Sequence, residues 1–298
     1  MSLLHPQLAV FMAVIEEGSF EAAARRLSVT PSAISQRMKA LEDRLGQVLV
    51  LRQLPVKPSP AGKRLLRRVR PMQTLEAEAV AEFSAAPGPS RQTVAVAVND
   101  DSLHTWVISA LAELHTAHDY IFDVRVDDQD HTLELLRGGT VLGAVTGQSK
   151  PVQGCNVIPI GSMRYFPIAS SDFVSKHFGQ GFNAHSINEA PLIVFNRKDD
   201  LQWRLVRKVT RAKVSPAVHY LPTSLGFLDA AALGIGWCMA PESLVMPALK
   251  SRRVVVVDEK LWLDVPLYWQ FAAVRSQTLE NVTRGIRAAA ARHLRGQK

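Results

Sequence analysis

The chain has 298 residues, a net charge of +8, 47% hydrophobic and 21% charged residues, and two cysteines. That length carries two or three domains with ordinary cores, and the composition excludes disordered, collagen-like and disulfide-rich classes. The charge favours an anionic partner, and it is unevenly spread: residues 1–70 hold twelve Lys/Arg against five acids.

A first helix is expected from Gln7 to Glu17, with Leu8, Phe11, Val14 and Ile15 inward and Gly18 as its stop. Ser19 caps a second helix over Phe20–Leu27, and Ser28-Val29-Thr30 forms a tight turn. Thr30 is a good N-cap and Pro31 suits the first position of a third helix, Pro31–Leu45. Ile34, Met38, Leu41 and Leu45 recur at four, three and four, one buried stripe. Two short helices joined this way, the second opening on small polar residues and carrying cations, can lay one helix in the DNA major groove. Ser32, Ser35, Gln36, Arg37 and Lys39 are left on the outer surface. Ser32, Ser35, Gln36 and Arg37 are candidates for base edges, and Arg25, Arg26, Arg52 and Lys57 for phosphates. Val48–Leu51 is a short strand, and Arg52–Pro60, with three prolines around Lys57, reads as a β-wing.

Ala61–Phe83 is again helical. Leu65, Val69, Met72, Leu75, Ala79 and Phe83 repeat as in a helix that pairs with a copy of itself, and Pro71 is expected to kink it. Ala85–Ser90 is a linker. Beyond it, strands at Thr93–Val98, Ile121–Val126 and Val141–Val145 alternate with helices at Leu103–His115 and Thr132–Arg137, which predicts a parallel α/β sheet. The rhythm returns at Tyr165–Ala169, Leu192–Phe195, Ala217–Tyr220, the helix Ser224–Leu233 and Gly236–Met239. Two α/β lobes are therefore expected, with a C-terminal helix, Thr278–Arg295, returning to the first.

The crevice between such lobes is the default ligand site. Asn99–Ser102 and Thr223-Ser224 open helices there, suited to a carboxylate. The acids Asp100, Asp101, Asp127, Asp128, Asp199 and Asp200 stand near them and suit a buried cation. The reading is thus an amino acid with a basic side chain, its carboxylate at Ser102 and its cation on an aspartate. His115, His118, Asp119 and the Asp127–His131 cluster carry the competing reading, a metal-dependent enzyme, but their spacing completes no ligand set and no metal is expected. Phosphate loops and nucleophile elbows are absent from the sequence. The longest apolar run, Phe227–Pro241, is too short and too broken to span a bilayer. With no basic segment followed by an apolar run at the N-terminus and two buried free thiols, Cys155 and Cys238, a cytoplasmic chain is expected.

The helix-turn-helix, the Arg52 wing, the Ala61-Gly62 helix start and the two-lobe remainder resemble LysR-type transcriptional regulators over essentially the whole chain. Ala97–Leu103, Trp106, Val126–Asp128, Gly143–Val145 and Leu267–Trp269 are similar to one branch, the regulators of lysine and arginine export (LysG/ArgP). The resemblance implies an α/β fold: a winged helix-turn-helix (1–58), a dimerisation helix and hinge (59–90), and a periplasmic-binding-protein-like effector domain (91–298). Its first lobe would span 91–162 and 270–298, its second 163–269. It implies promoter DNA, RNA polymerase, a dimer or tetramer, and lysine or arginine as effector with no cofactor. Asp100, Asp101, Ser102, Asp127, Asp128, Thr146, Asn196, Thr223 and Ser224 are the expected effector residues. A LysR-type regulator of another small molecule is the alternative. Pro31 stands where many members have Gln, Leu49-Val50 where Leu-Phe is usual, and Gly143 where an Asp is common.

Overall fold

The computed structural model describes residues 3–83, 92–126 and 132–296. The expected linker Ala85–Ser90 and the candidates Asp127 and Asp128 lie outside the described residues.

Three helices, α1 (Pro6–Glu17), α2 (Phe20–Arg26) and α3 (Pro31–Leu45), form the N-terminal module. Ser19 and Thr30 accept from the amides of Ala22 and Ala33, and Gly18 and Gly46 take the left-handed conformation that ends α1 and α3. Ile34, Met38 and Leu41 pack with Phe11, Val14, Ala23 and Ala24. Leu45, expected to complete that stripe, is half exposed, because the helix ends there beyond the reach of the core. The wing is a hairpin of β1 (Val50–Leu51) and β2 (Lys57–Pro58). Ser59 ties it to the next helix: its hydroxyl donates to the Val48 carbonyl at 2.5 Å and accepts from the Gly62 amide at 3.0 Å. A Cβ on Gly62 would stand 2.1 Å from the Leu49 carbonyl oxygen, so helix and wing touch backbone to backbone.

Helix α4 (Pro60–Phe83) runs on through Pro71. Leu66 and Val69 are buried in the N-terminal core, whereas Met72, Leu75 and Phe83 of the expected pairing stripe are exposed.

The remainder begins with β3 (Thr93–Val98), α5 (Asp100–Ser102), a π-helical turn (Leu103–Val107) and α6 (Ile108–His118). The helical stretch expected from Leu103 thus starts at Asp100. β4 (Ile121–Val126), α7 (Thr132–Arg137) and β5 (Gly143–Thr146) complete the first lobe's α/β half. The long strand β6 (Cys155–Ala169) leads to α8 (Ser171–His177), α9 (Ala184–Glu189), β7 (Leu192–Val194), α10 (Leu201–Val209), β8 (Val218–Tyr220) and α11 (Ser224–Ala232). Then come β9 (Cys238–Pro241), α12 (Glu242–Lys250), β10 (Val255–Val256), β11 (Leu263–Ala272) and α13 (Gln277–His293).

The sheet is mixed, which corrects the parallel expectation. β3 is parallel to β4 and β5, but β11 runs antiparallel to β5 and β6, in the order β10-β6-β11-β5-β3-β4 with β9 also on β6. Only the end of β6 was expected, and β11 not at all: Pro159, Gly161 and Pro167 in one and Pro266 in the other mask their strand character. The strands β6 and β11 pass from one lobe to the other. Where they do so, the pairing shifts register between Leu267 and Tyr268, and Gly161 takes a φ of 128°.

Trp106, Trp237 and Trp269 are fully buried. Cys238 is buried and Cys155, against expectation, only half-buried; both are free thiols. No described helix is long and apolar enough to cross a membrane.

Trp269 fills the space beside Gly143. A Cβ there would meet the indole ring at 2.2 and 2.3 Å. Because that ring is itself fully buried, Gly143→Ala overpacks the core. The variant should lose about 1–3 kcal/mol of stability, seen as a lower denaturant midpoint at an unchanged slope.

Candidate functional site

On the N-terminal module, Arg25, Ser32, Gln36, Arg37, Lys39, Arg52 and Lys57 are exposed and Ser35 half-buried. Burial of Ile34, Met38 and Leu41 against α1 and α2 dictates this, since it turns the opposite side of α3 outward. The Arg52 guanidinium lies over the Phe20 ring at 5.7 Å, which pins the wing to α2 while leaving the cation exposed. Arg26 is different. Its Nη1 donates to Glu16 Oε2 at 2.7 Å and to Glu17 Oε1 at 3.2 Å, so its charge is already engaged within the chain.

Between the lobes lies a cavity of about 300 Å³, lined by Asn99, Asp100 and Asp101 from the first lobe and by Asn196, Asp199 and Gln202 among residues of the second. Asp200, Lys198, Arg204, Ser224, Phe227 and Met239 also face it. Among the described residues, four carboxylates thus stand against two cations in the lining. Asp100 Oδ2 accepts from the Ser224 amide at 2.7 Å, so a first-lobe carboxylate occupies the N-terminus of α11 in the second. Asp101 Oδ2 accepts from the Tyr165 hydroxyl at 2.7 Å, reaching β6. Asp199 is held by the Phe195 and Leu201 amides, both at 3.0 Å. Asp200 is exposed and paired with Arg207 at 2.5 Å.

Burial pushes the Asp101 carboxyl above the usual aspartate range, the charges of Asp100 and Asp199 push the same way, and hydrogen bonds from Ser224 and Tyr165 oppose them. The Tyr165 phenol is driven well above its ordinary value by burial and by Asp101. Two lining residues, Asn99 and Gln202, each carry a buried acceptor, Oδ1 and Oε1, with no hydrogen-bond partner among the described residues. The orientation of Gln202 is fixed, because its Nε2 donates to the Ile193 carbonyl at 3.1 Å. The arrangement therefore favours a guest that is positively charged and rich in N–H donors.

Several expected residues sit elsewhere. The Ser102 hydroxyl is completely buried and does not line the cavity, and two aspartates crown its short helix. Thr223 caps α11 by accepting from the Gly226 amide, and Asp100 takes the amide of Ser224. Thr146 is fully buried at the end of β5, outside the lining. His115 Nδ1 lies 2.8 Å from the Tyr120 carbonyl and His118 stacks on the Tyr120 ring, so both serve the turn after α6. Sequence reading missed Gln202, which reads there as one more polar residue on an amphipathic helix, and Tyr165, which reads as a strand residue. Asp199 was legible only as one of a run of acids.

The description "Bacterial regulatory helix-turn-helix protein, lysR family" matches residues 5–63, and "LysR substrate binding domain" matches residues 87–294. The chain belongs to the LysR family. It is a transcriptional regulator, not an enzyme. The crystal structure of ArgP from Mycobacterium tuberculosis is similar at 46% identity and a TM-score of 0.87, covering 99% of this chain and 100% of that one. The lysine export transcriptional regulatory protein LysG of Corynebacterium glutamicum is 38% identical over 97% of this chain and 98% of its own length. A full-length structure of LysG from that organism with bound effector Arg is similar at 37% identity and a TM-score of 0.76, covering 98% and 100%.

A raised carboxyl in the folded state contributes stability below the unfolded aspartate range and loses it as pH rises through the raised one. Asp101→Asn, whose amide oxygen can still accept from Tyr165, removes that loss. Its unfolding free energy relative to the unaltered chain should therefore increase as pH rises across this window, measured by denaturant titration at several pH values.

Proposed function

We propose that this regulator senses a basic amino acid, arginine or lysine, in the interlobe cavity and so controls a promoter, that of an amino-acid exporter gene. One observation carries the reading: Asp100, Asp101 and Asp199 are crowded together on a cavity whose lining also includes Asn99 and Gln202, each with a buried acceptor that has no partner among the described residues. Like charges crowded out of water repel, and a cation among them relieves that repulsion. The arginine bound to the Corynebacterium relative supports the same chemistry. Asp100, Asp101 and Asp199 receive the cationic group, with Asn99 and Gln202 accepting further N–H donors.

The division into a winged helix-turn-helix (1–58), a pairing helix with hinge (59–90) and an effector domain (91–298) fits the exposed stripe Met72, Leu75 and Phe83, which suits a second copy. The lobes then meet near Gly161 and the Leu267–Tyr268 register shift. Arg25, Arg52 and Lys57 hold phosphates. Ser32, Ser35, Gln36 and Arg37 face bases, with Lys39 beside them. Arginine or lysine alters the spacing of the paired reading heads on the promoter, where the regulator meets RNA polymerase in the cytoplasm.

Calorimetry with arginine, lysine and citrulline, the neutral isostere of arginine, tests the effector. Arginine and lysine should bind and citrulline should be weaker by roughly a hundredfold or more, as expected when a unit charge a few ångströms from carboxylates is removed. Equal affinity for citrulline would refute the reading. On the DNA side, Arg52→Glu should weaken operator binding at least tenfold and flatten the slope of log affinity against log salt by about 0.9 or more per bound copy. Unaltered affinity in a band-shift titration would remove the wing from the interface.

A further inference from the structure

One buried cation joins three parts of the chain. Arg70, on α4, has a side chain only 11% exposed. Its Nε donates to the Gly139 carbonyl at 3.0 Å, in the first-lobe turn between α7 and β5. Its Nη2 reaches Glu16 Oε1 at 3.2 Å, at the end of α1. The other oxygen of the same carboxylate, Oε2, accepts from Arg26 Nη1 at 2.7 Å. Arg26 belongs to α2 of the helix-turn-helix. An unbroken series of polar contacts therefore runs from a lobe of the effector domain to a cation on the DNA-reading module.

The two ends of that series are unlike. At the lobe end the fit is rigid: Gly139 has a φ of 70°, and a Cβ there would lie 2.3 Å from the Arg67 nitrogen, so the turn meets α4 backbone to backbone. At the DNA end Arg26 keeps about half its side-chain surface in solvent. In the middle, burial disfavours the Arg70 charge, and Glu16 and then Asp123 of β4 offset this, while Arg125 of β4 opposes them. Arg125 lies in the field of Glu16 and is itself paired with Asp123 at 2.7 Å. A buried guanidinium that loses one partner must lean on those that remain, because an unpaired buried charge is costly. If the turn at Gly139 withdraws, Arg70 draws Glu16 toward itself, and Arg26 is released from the stronger of its two carboxylates. While the turn is seated, Glu16 is shared and Arg26 stays engaged.

We infer that Arg70 is a positioning residue: it makes the availability of Arg26 to a DNA phosphate depend on where the first lobe sits on α4. The inference rests on the reading of this module as the DNA-binding surface, and it uses no residue of the interlobe cavity.

The test is the salt dependence of operator binding by the full-length chain, followed by fluorescence anisotropy with and without arginine. Glu16→Gln combined with Glu17→Gln frees Arg26, so the slope of log affinity against log salt should steepen by about 0.9 per bound copy. Adding Arg26→Gln to that pair should return the slope to its original value. Arg70→Gln should shrink the arginine-dependent change in operator affinity to less than twofold while calorimetric arginine affinity stays within twofold, and Arg70→Lys should recover part of the response. An unchanged slope in the glutamate pair, with arginine affinity intact as proof of folding, would overturn the inference. So would a full arginine response in Arg70→Gln. If the unaltered chain binds no arginine, the effector reading fails, while the slope of the glutamate pair still decides the role of Arg26.

Discussion

The structure turns on one contact across the crevice, the Asp100 carboxylate accepting from the Ser224 amide. It places a negative charge of the first lobe on the positive end of a helix in the second. By doing so it ties the two lobes together and sets Asp100 beside Asp101, which also lies in the field of Asp199. The crowding is tolerated because each carboxylate has dipoles aimed at it: the Ser224 amide, the Tyr165 hydroxyl and the amides at either side of Asp199. The same contact that joins the two lobes thus adds to the negative charge beside the cavity, in line with the proposed cationic guest.

Transmission from that crevice has a mechanical basis in the two strands shared by the lobes. β6 and β11 cross at Gly161 and at the register shift beside Tyr268, where the ladder is already irregular and a small rotation is least costly. The Gly161 backbone abuts Leu294 and Arg295, just past α13, so such a rotation also bears on that helix. Helix α13 in turn touches α4 through Glu78, which accepts from the Ser276 hydroxyl at 2.6 Å and the Thr278 amide at 2.9 Å. Packed and hydrogen-bonded contacts thus run from the lobe junction to the helix that adjoins the DNA-reading module, and under the proposed function a coupling of about 1–3 kcal/mol through them would suffice.

Much of this was legible in the residues. Thr30-Pro31 and the spacing of Ile34, Met38 and Leu41 fix the start and the buried side of α3, because capping and periodicity are local. Leu45 departed from that period because the helix ends before it can reach the core. The long strands were hidden for a local reason too: Pro159, Gly161, Pro167 and Pro266 interrupt the alternation, and only pairing over many rungs outweighs them. In the crevice, the acids near Asn99–Ser102 were visible as a run, but which of them faced inward was not. That depends on Asp100 reaching a helix 124 residues away and on Gln202 being anchored to Ile193, both tertiary facts. Where a guest's carboxylate was expected at the N-terminus of α11, the chain places its own carboxylate, Asp100.

The most direct measurement is a structure of this protein crystallised with arginine. The guanidinium should lie between the lobes, within hydrogen-bond distance of Asp100, Asp101 or Asp199 and of the Gln202 carbonyl oxygen. Arginine seated elsewhere, or held in the crevice with its guanidinium turned to solvent, would contradict the account.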